Sequence, residues 1–453
     1  MTPARPRRIV ARVTGNASPT TPAARRGEYV LRTVEERGVR FVRLWFVDVL
    51  GLLKSFAIPV SELENALEEG VGLDGSSLEG GARRSEQDAI AQPDPTSFQV
   101  LPWRPGSLVA RMFCDIRLPD GEPHPNDSRR ALGRVLARAA DLGYVFQVGP
   151  EVEFFLFAEP GDGGEEPRPL DHGAYFDLTP LDVGSDFRSR TIDHVEQMGI
   201  PVKASHHEAA GSQHELDLAH TDALSMADAV ITFRIAVKEV ARELGVYATF
   251  MPKPLQGSAG SGMHLHCSLF EGDRNAFFAG DGAQPLSETG RGFLAGVLAH
   301  APELSAVTNQ WINSYKRLAD GFEAPDHVAW ARSGEPALVR VPSNRPGKEA
   351  AARIELRSPD PACNPYLTFA LILAAGLRGI ERGYQLPGEA DGGSRRLPQD
   401  LREATKRFDA SELAREALGD PICDAIVRNQ RREWEDFRRT VTEHERARLL
   451  TLL

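Results

Sequence analysis

The stretch Gln147-Val-Gly-Pro-Glu-Val-Glu-Phe-Phe-Leu-Phe157 restricts the possible folds more than any other. Its β-branched and aromatic residues read as a strand, and residues two apart in a strand face the same side. Glu151 and Glu153 therefore share one face of an otherwise apolar strand. Carboxylates buried in such a setting are unfavourable unless they pair with cations or bind metal. The chain must bring compensating groups to that face from elsewhere.

Three other stretches carry charge or imidazole at related spacings. In Met263-His-Leu-His-Cys-Ser268, His264 and His266 point together, just after a flexible Ala259-Gly-Ser-Gly262 turn that lets a ligand approach the backbone. Ser205-His-His-Glu208 and Gln213-His-Glu215 add Glu208 and Glu215. Arg353-Ile-Glu-Leu-Arg357 sets Arg353, Glu355 and Arg357 on one strand face in alternating sign. Taken singly, each has a plain structural reading: salt-bridged glutamates, paired core histidines, or a solvated ladder of charges. Together, five glutamates and one or two histidines suffice for two or three hard divalent cations. Oxygen-rich ligation favours Mg2+ or Mn2+ over Zn2+. Clustered cations beside arginines suit phosphoryl transfer. The chain has no Gly-x-x-x-x-Gly-Lys-Ser/Thr loop, so a nucleotide would be held another way.

At 453 residues the chain exceeds one ordinary core, which predicts a large domain and a smaller one. Residues 1–26, with Arg5, Arg7, Arg8, Arg12, Arg25 and Arg26 and no acid, read as a disordered basic tail. Residues 27–118 read as a compact α+β domain. Its helix over Glu28–Gly38 precedes strands at 39–48 and 52–58, a helix over Glu62–Glu69 capped by Ser61, and strands at 97–102 and 108–116. The proline-rich Pro119–Pro125 turn marks the boundary, and 119–453 form the second domain. There a helix capped by Asn126 or Asp127 runs to Asp141. Strands follow at 144–157, 202–207, 247–251, 263–270, 337–341 and 353–356, with long helices near 222–244, 287–300, 364–382 and 422–440. The net charge of −11, more acidic still without the tail, disfavours nucleic acid as a partner. No apolar run approaches a membrane span, so no membrane association is expected. Cys114, Cys267, Cys363 and Cys423 are widely spaced, which predicts free thiols and a cytoplasmic protein.

Several motifs spell a family: Asp74-Gly-Ser-Ser77, Pro93-Asp-Pro-Thr-Ser-Phe-Gln-Val-Leu-Pro-Trp103, Pro150-Glu-Val-Glu-Phe-Phe155, His206-His-Glu208, Gly260-Ser-Gly-Met-His264, Asn313-Ser-Tyr-Lys-Arg317, Gly321-Phe-Glu-Ala-Pro325 and Asn364-Pro-Tyr366. Over about 28–453 the chain resembles glutamine synthetases, most closely the γ-glutamylpolyamine synthetase and glutamate–amine ligase branch. The resemblance implies an α+β protein with an N-terminal β-grasp domain and a catalytic α/β barrel. It also implies a homo-oligomer, a dodecamer of two hexameric rings, with sites between neighbouring subunits. By the same resemblance Glu153, Glu208 and Glu215 would hold one metal, and Glu151, His264 and Glu355 a second. His266, Ser268 and Arg353 would contact ATP. Gly260, Arg317 and Arg357 would hold L-glutamate, and Arg340 would face the transferred phosphoryl group. Glu323 would close over the site, and Asp48 would take a proton from the amine in a neighbouring subunit's site.

The chain departs from the family pattern in places. Gly334-Glu335-Pro336-Ala337 stands where Asn-Arg-Ser-Ala is usual, so a phosphate-neutralising arginine has become Glu335. Ala259 replaces an asparagine of glutamine-forming members. Tyr384 lacks the flanks of the adenylylated tyrosine of some bacterial members. The expected function is an ATP-dependent ligase joining the γ-carboxylate of glutamate to a polyamine or other organic amine. Ammonia as the amine, and a catalytically impaired paralogue with a binding role, are the alternatives.

Overall fold

The computed structural model describes residues 22–453 apart from 82–85, 105, 107, 160–165, 179–182, 281–285, 320, 322–323, 334–336, 346 and 390–394. The expectations for residues 1–21, Glu323 and Glu335 fall outside the described residues. The N-terminal unit begins with helix α1 (Pro22–Arg37), six residues earlier than the sequence suggests. A proline is at home in a first helical turn, where its missing N–H has no intrahelical partner. Helix α1 stops at Gly38, whose φ of 65° suits a residue without a Cβ.

Strands β1 (Phe41–Val47), β2 (Leu53–Pro59), β3 (Val71–Asp74), β4 (Asp88–Pro93), β5 (Gln99–Val100) and β6 (Val109–Arg117) form one sheet in the order β2-β1-β6-β4-β3, with β5 beside β6. Strands β1 and β6 run parallel. Strands β3 and β4 are not evident from the sequence, and the strand expected over 97–102 shrinks to β5. Helix α2 (Leu63–Glu69) is entered through a 3-10 turn, Val60–Glu62, so Ser61 lies inside that turn and is not its cap.

The pleat of β1 divides its residues between two cores. Val42, Leu44 and Phe46 join a small core with Val30 and Val34 of α1, whereas Trp45 and Val47 join the large core of the second domain. Strand β6 does the same with Ala110, Met112 and Cys114 on one face and Val109 and Phe113 on the other. The N-terminal sheet is thus buried on both faces, and the two domains share it.

The second domain is built on β7 (Val145–Phe157), β8 (Val202–His207), β9 (Gln213–Leu218), β10 (Thr221–Asp222), β11 (Tyr247–Thr249), β12 (Met263–Glu271), β13 (Arg274–Asn275), β14 (Trp330–Ala331), β15 (Val339–Arg340) and β16 (Ile354–Leu356). The long path of this sheet is β14-β15-β16-β12-β7-β9-β8. Helices α3 (Ser128–Asp141), α4 (Val183–Gln197), α5 (Ala223–Leu244), α6 (Glu288–Thr308), α7 (Ile312–Ala319), α8 (Pro365–Glu381), α9 (Leu401–Asp409), α10 (Glu412–Leu418), α11 (Asp420–Arg439) and α12 (Glu443–Leu449) are the α-helices of this domain among the described residues. Asp127 caps α3 by accepting from the N–H groups of Arg129 and Arg130. All four cysteines are buried and unpaired. No described helix is long and apolar enough to cross a membrane.

Arg129 clamps the domains. Its guanidinium is buried and reaches Asp94 (2.7 Å) and Asp115 (2.7 Å) of the N-terminal unit and Asp228 of α5 (3.1 Å). Asp228 also accepts from the Tyr366 hydroxyl at 2.6 Å. Removing the cation strands three carboxylates around one spot. Arg129→Met is therefore expected to lower the unfolding free energy by about 3–5 kcal/mol in urea titration. A loss under about 1 kcal/mol would show that water relieves the charges.

Candidate active site

Strand pairing turns the scattered charges into one cluster. His264 on β12 lies opposite Glu151 on β7, and His266 opposite Glu355 on β16. Across the other edge of β7, Glu151 faces Asp217 and Glu153 faces Glu215, while His206 on β8 faces Glu215. Among the described residues four groups could hold a cation: Glu151–His264–Glu355, His206–Glu208–Glu215, Glu151–Glu215–Asp217 and, on β8 and β9, His207 and His214 with Asp171. Glu151 belongs to two of them.

The first group fits a ligand set. His264 Nδ1 stands 3.4 Å from Glu151 Oε2 and 3.8 Å from Glu355 Oε1. Arg340 bonds Glu355 Oε2 at 2.6 Å, and Arg357 Nε lies 3.5 Å from Oε1. Arg353 Nε donates to His266 Nδ1 at 3.0 Å. The guanidinium is always a donor, so the His266 proton sits on Nε2, where it meets Glu151 Oε1 at 2.6 Å. Burial opposes ionisation of Glu151, yet the hydrogen bonds of His264 and His266 hold its carboxyl far below the usual range. Ser268 follows on the same face of β12, also buried.

The second group lacks such relief. His206 Nε2 is 2.8 Å from Glu208 Oε1 and 3.6 Å from Glu215 Oε1. Burial, followed by the charges of Glu153, Glu151, Glu208 and Asp217, pushes Glu215 up to about 12. Asp217 Oδ1 is buried without a hydrogen-bond partner. A hard divalent cation supplies what these oxygens lack, and the donor set is the oxygen-rich kind that Mg2+ or Mn2+ takes.

The turn before β12 is closely packed. Glu153 Oε2 accepts from Gln213 Nε2 (2.7 Å) and from the Gly262 N–H (2.9 Å). A Cβ on Gly262 would lie 2.5 Å from Arg317 Nη2, and one on Gly260 would collide with the Pro252 carbonyl. Arg317 is buried, and donates to the carbonyls of Arg357 and Ser358 at 3.1 and 2.8 Å.

Asp48 lies apart from the cluster within its own chain. It is fully buried, accepts from the N–H groups of Leu50 and Leu52, and faces Lys54 at 3.1 Å. Burial raises its pKa despite Lys54. Four residues at the site went unrecognised as site residues in the sequence. They are His206 and Asp217, each two positions from an expected ligand, and Tyr175 and Phe176. Phe176 stacks on His206 at 4.6 Å between ring centroids and has a φ of 62°, unusual for a bulky residue. Tyr175 and Phe176 are 54% and 63% exposed.

A two-domain α+β chain thus carries a carboxylate–histidine cluster on adjacent antiparallel strands that could hold divalent cations. The glutamine synthetase catalytic domain matches residues 125–449 and the glutamine synthetase β-grasp domain residues 38–119. The chain belongs to the glutamine synthetase family, whose members are ATP-dependent ligases that use divalent metals. It is 53% identical to a glutamine synthetase of Mycolicibacterium smegmatis over 444 residues, covering 94% of this chain and 100% of that one. A glutamine synthetase of Methanosarcina mazei is 44% identical over 442 residues, covering 94% and 98%. Among solved structures, "Apo GmaS without ligand" superposes with a TM-score of 0.82 at 32% identity, covering 93% of this chain and 99% of that one.

The acidic cluster generates a pH signature. Glu215 ionises near the ordinary 4.5 when unfolded but only far above that when folded without metal. Metal-free protein therefore loses stability progressively as pH rises above about 4.5, because the unfolded state releases the proton first. Mg2+ is expected to raise the melting temperature more at pH 8.5 than at pH 5.5, and Glu215→Gln to flatten that difference. Differential scanning fluorimetry in EDTA and in Mg2+ reads both. An equal Mg2+ increment at the two pH values would contradict the assignment.

Proposed function

We propose that this chain joins the γ-carboxylate of L-glutamate to a polyamine or another organic amine, through a γ-glutamyl phosphate formed from ATP. The observation that carries the organic amine is the pair of exposed rings, Tyr175 and Phe176, against His206 beside Glu208 and Glu215. Aromatic faces next to carboxylates suit an alkylammonium, which needs both charge and apolar contact. Ala259, in place of an asparagine, packs on the apolar cluster of Phe155, Phe157, Ala210 and Leu255. The relatives' name, glutamine synthetase, supports ammonia instead.

In this reading Glu153, Glu208 and Glu215, with His206, hold one cation, and Glu151, His264 and Glu355 another. Bound divalent cations supply neutralisation of the ATP phosphates and of the charge that develops in transfer. Arg340 sits on Glu355, at hand for the transferred phosphoryl group. His266, Ser268 and Arg353 line the nucleotide end. Gly260 and Arg357 take glutamate, with Arg317 bracing the segment after β16 through the carbonyls of 357 and 358. Phosphorylation turns a poor acylating carboxylate into one with a leaving group. The amine must shed a proton to attack. Asp48, with its raised pKa, would accept it in the assembled ring, and Glu323 would close over the acyl phosphate and keep water out.

Mass spectrometry of products formed from glutamate, ATP and Mg2+ with ammonium, putrescine, spermine or ethanolamine in parallel is the test. A γ-glutamyl adduct of one organic amine is expected. Glutamine alone would assign ammonia, and no phosphate release and no adduct with any of the amines would sink the ligase reading. Glu355→Gln is expected to lower kcat by about 10²–10³, since it weakens both cation holding and the seat of Arg340. An unchanged kcat would remove Glu355 from the site.

A further inference from the structure

The group Asp171–His207–His214 differs from the other three, because hydrogen bonds use up its ring nitrogens. Arg188 donates to His214 Nδ1 at 2.9 Å. Burial and the charge of Arg188 push the pKa of His214 down to about 3, so the ring is neutral and its one hydrogen sits on Nε2. Neither nitrogen has a lone pair left for a metal. His207 meets an oxygen at each nitrogen: the Glu208 carbonyl lies 2.7 Å from Nδ1, and Asp171 Oδ1 lies 2.8 Å from Nε2. Burial opposes ionisation of Asp171, yet hydrogen bonds from His207, Ser212 and Gly173 hold its carboxyl well below the usual range. Both oxygens therefore accept, and both nitrogens of His207 donate. The ring is buried and stands edge-on to His214, with centroids 5.0 Å apart.

These bonds join two parts of the site. At one end is the main-chain oxygen of Glu208, whose carboxylate belongs to a cation-holding group. At the other is the segment 170–177, which carries Tyr175 and Phe176. Asp171 Oδ1 also accepts from the N–H groups of Ser212 (2.9 Å) and Gly173 (3.0 Å), and Ser212 Oγ accepts from the Asp171 N–H at 3.0 Å. The Phe176 N–H donates to the His207 carbonyl at 3.0 Å, which holds that residue at its positive φ. The approach is close: a Cβ on Gly173 would stand 2.6 Å from His207 Nε2. We propose that His207 and Asp171 are positioning residues, a latch that ties the placement of Tyr175 and Phe176 to the cation held by Glu208. A cation fixes the Glu208 residue, its carbonyl fixes the His207 ring, and the ring and its carboxylate partner fix the segment. The coupling runs both ways, so an ordered aromatic pair also favours the cation. On the ligase reading, on which this last step rests, the cation completes the seat of the amine.

Hydrogen-exchange mass spectrometry of the full-length protein, in EDTA and in Mg2+, reads the latch directly. In the wild type Mg2+ is expected to slow exchange in peptides spanning 170–177 by about tenfold. His207→Gln keeps a donor near the Nε2 position and loses the one at Nδ1, and His207→Asn does the reverse. Each cuts the chain of bonds at one end, so each should lose the Mg2+ response. Asp171→Asn, which keeps an acceptor oxygen, should retain it, and Asp171→Ala should not. That pair decides the matter if the His207 variants fail to fold. A second arm measures turnover with ammonium and with putrescine separately. For whichever amine is used, His207→Asn should raise its KM by about tenfold while the KM for ATP stays within about twofold. This arm rests on the ligase reading and the exchange arm does not. Absence of turnover in the wild type therefore counts against that reading alone, and exchange still decides the latch. No Mg2+ response in the wild type, a response that survives in either His207 variant, or equal behaviour of the two Asp171 variants overturns the latch. A KM for ATP that rises as much as the KM for the amine overturns the positioning role.

Discussion

Like charges held together by strand pairing govern this structure. Antiparallel registers on both edges of β7 oblige Glu151, Glu153, Glu215 and Asp217 to share a small buried volume. Hydrogen bonding settles one side, where His264, His266 and Arg340 divide the carboxylate oxygens of Glu151 and Glu355 among them. The other side stays in deficit, as the raised Glu215 shows. The strands keep this arrangement because their opposite face is packed with Val152, Phe154 and Leu156 in the large core. A one-residue slip of β7 would exchange those groups, so the apolar face fixes where the acids stand.

That logic explains what could be read in advance. The period-two spacing of Glu151 and Glu153, and of His264 and His266, survives in the structure because the alternate residues of each strand are locked into the large core. Strand β9 could not be read the same way. Gln213-His-Glu-Leu-Asp-Leu218 has too few apolar residues to signal a strand, and its burial comes from lying between β7 and β8. His206 and Asp217 went unrecognised as site residues for that reason, since their roles depend on which strand sits beside which. Strands β3 and β4 are short and carry Gly72, Ala89 and Ala91 where a stronger signal would need larger residues. Arg129, inside a helix that reads as ordinary and amphipathic, gave no hint of binding three aspartates distant in sequence.

The sharing of the N-terminal sheet adds a mechanical point. Strands β1 and β6 each contribute alternate residues to both cores, so neither domain can unfold its face of the sheet independently. Asn364 reinforces the link at the helix α8 cap. Its amide donates to the carbonyls of Asp48 and Val49 and to Ser128, while its oxygen caps α8. The turn carrying Asp48 is thus placed by the catalytic domain's own helix, and Gly51 is confined against the same residue, since a Cβ there would stand 2.7 Å from Asn364 Cα.

The four thiols record this division. Cys114 belongs to the small core, and Cys267, Cys363 and Cys423 to the large one. Burial is the main cause that raises each of them, so none offers a thiolate while its surroundings stay closed. Each cysteine is in effect a sealed clock. Alkylation of Cys114 dates the first opening of the N-terminal unit, and alkylation of Cys267 dates the parting of the strand that carries the histidines. The order in which an electrophile consumes them maps the route by which the molecule comes apart.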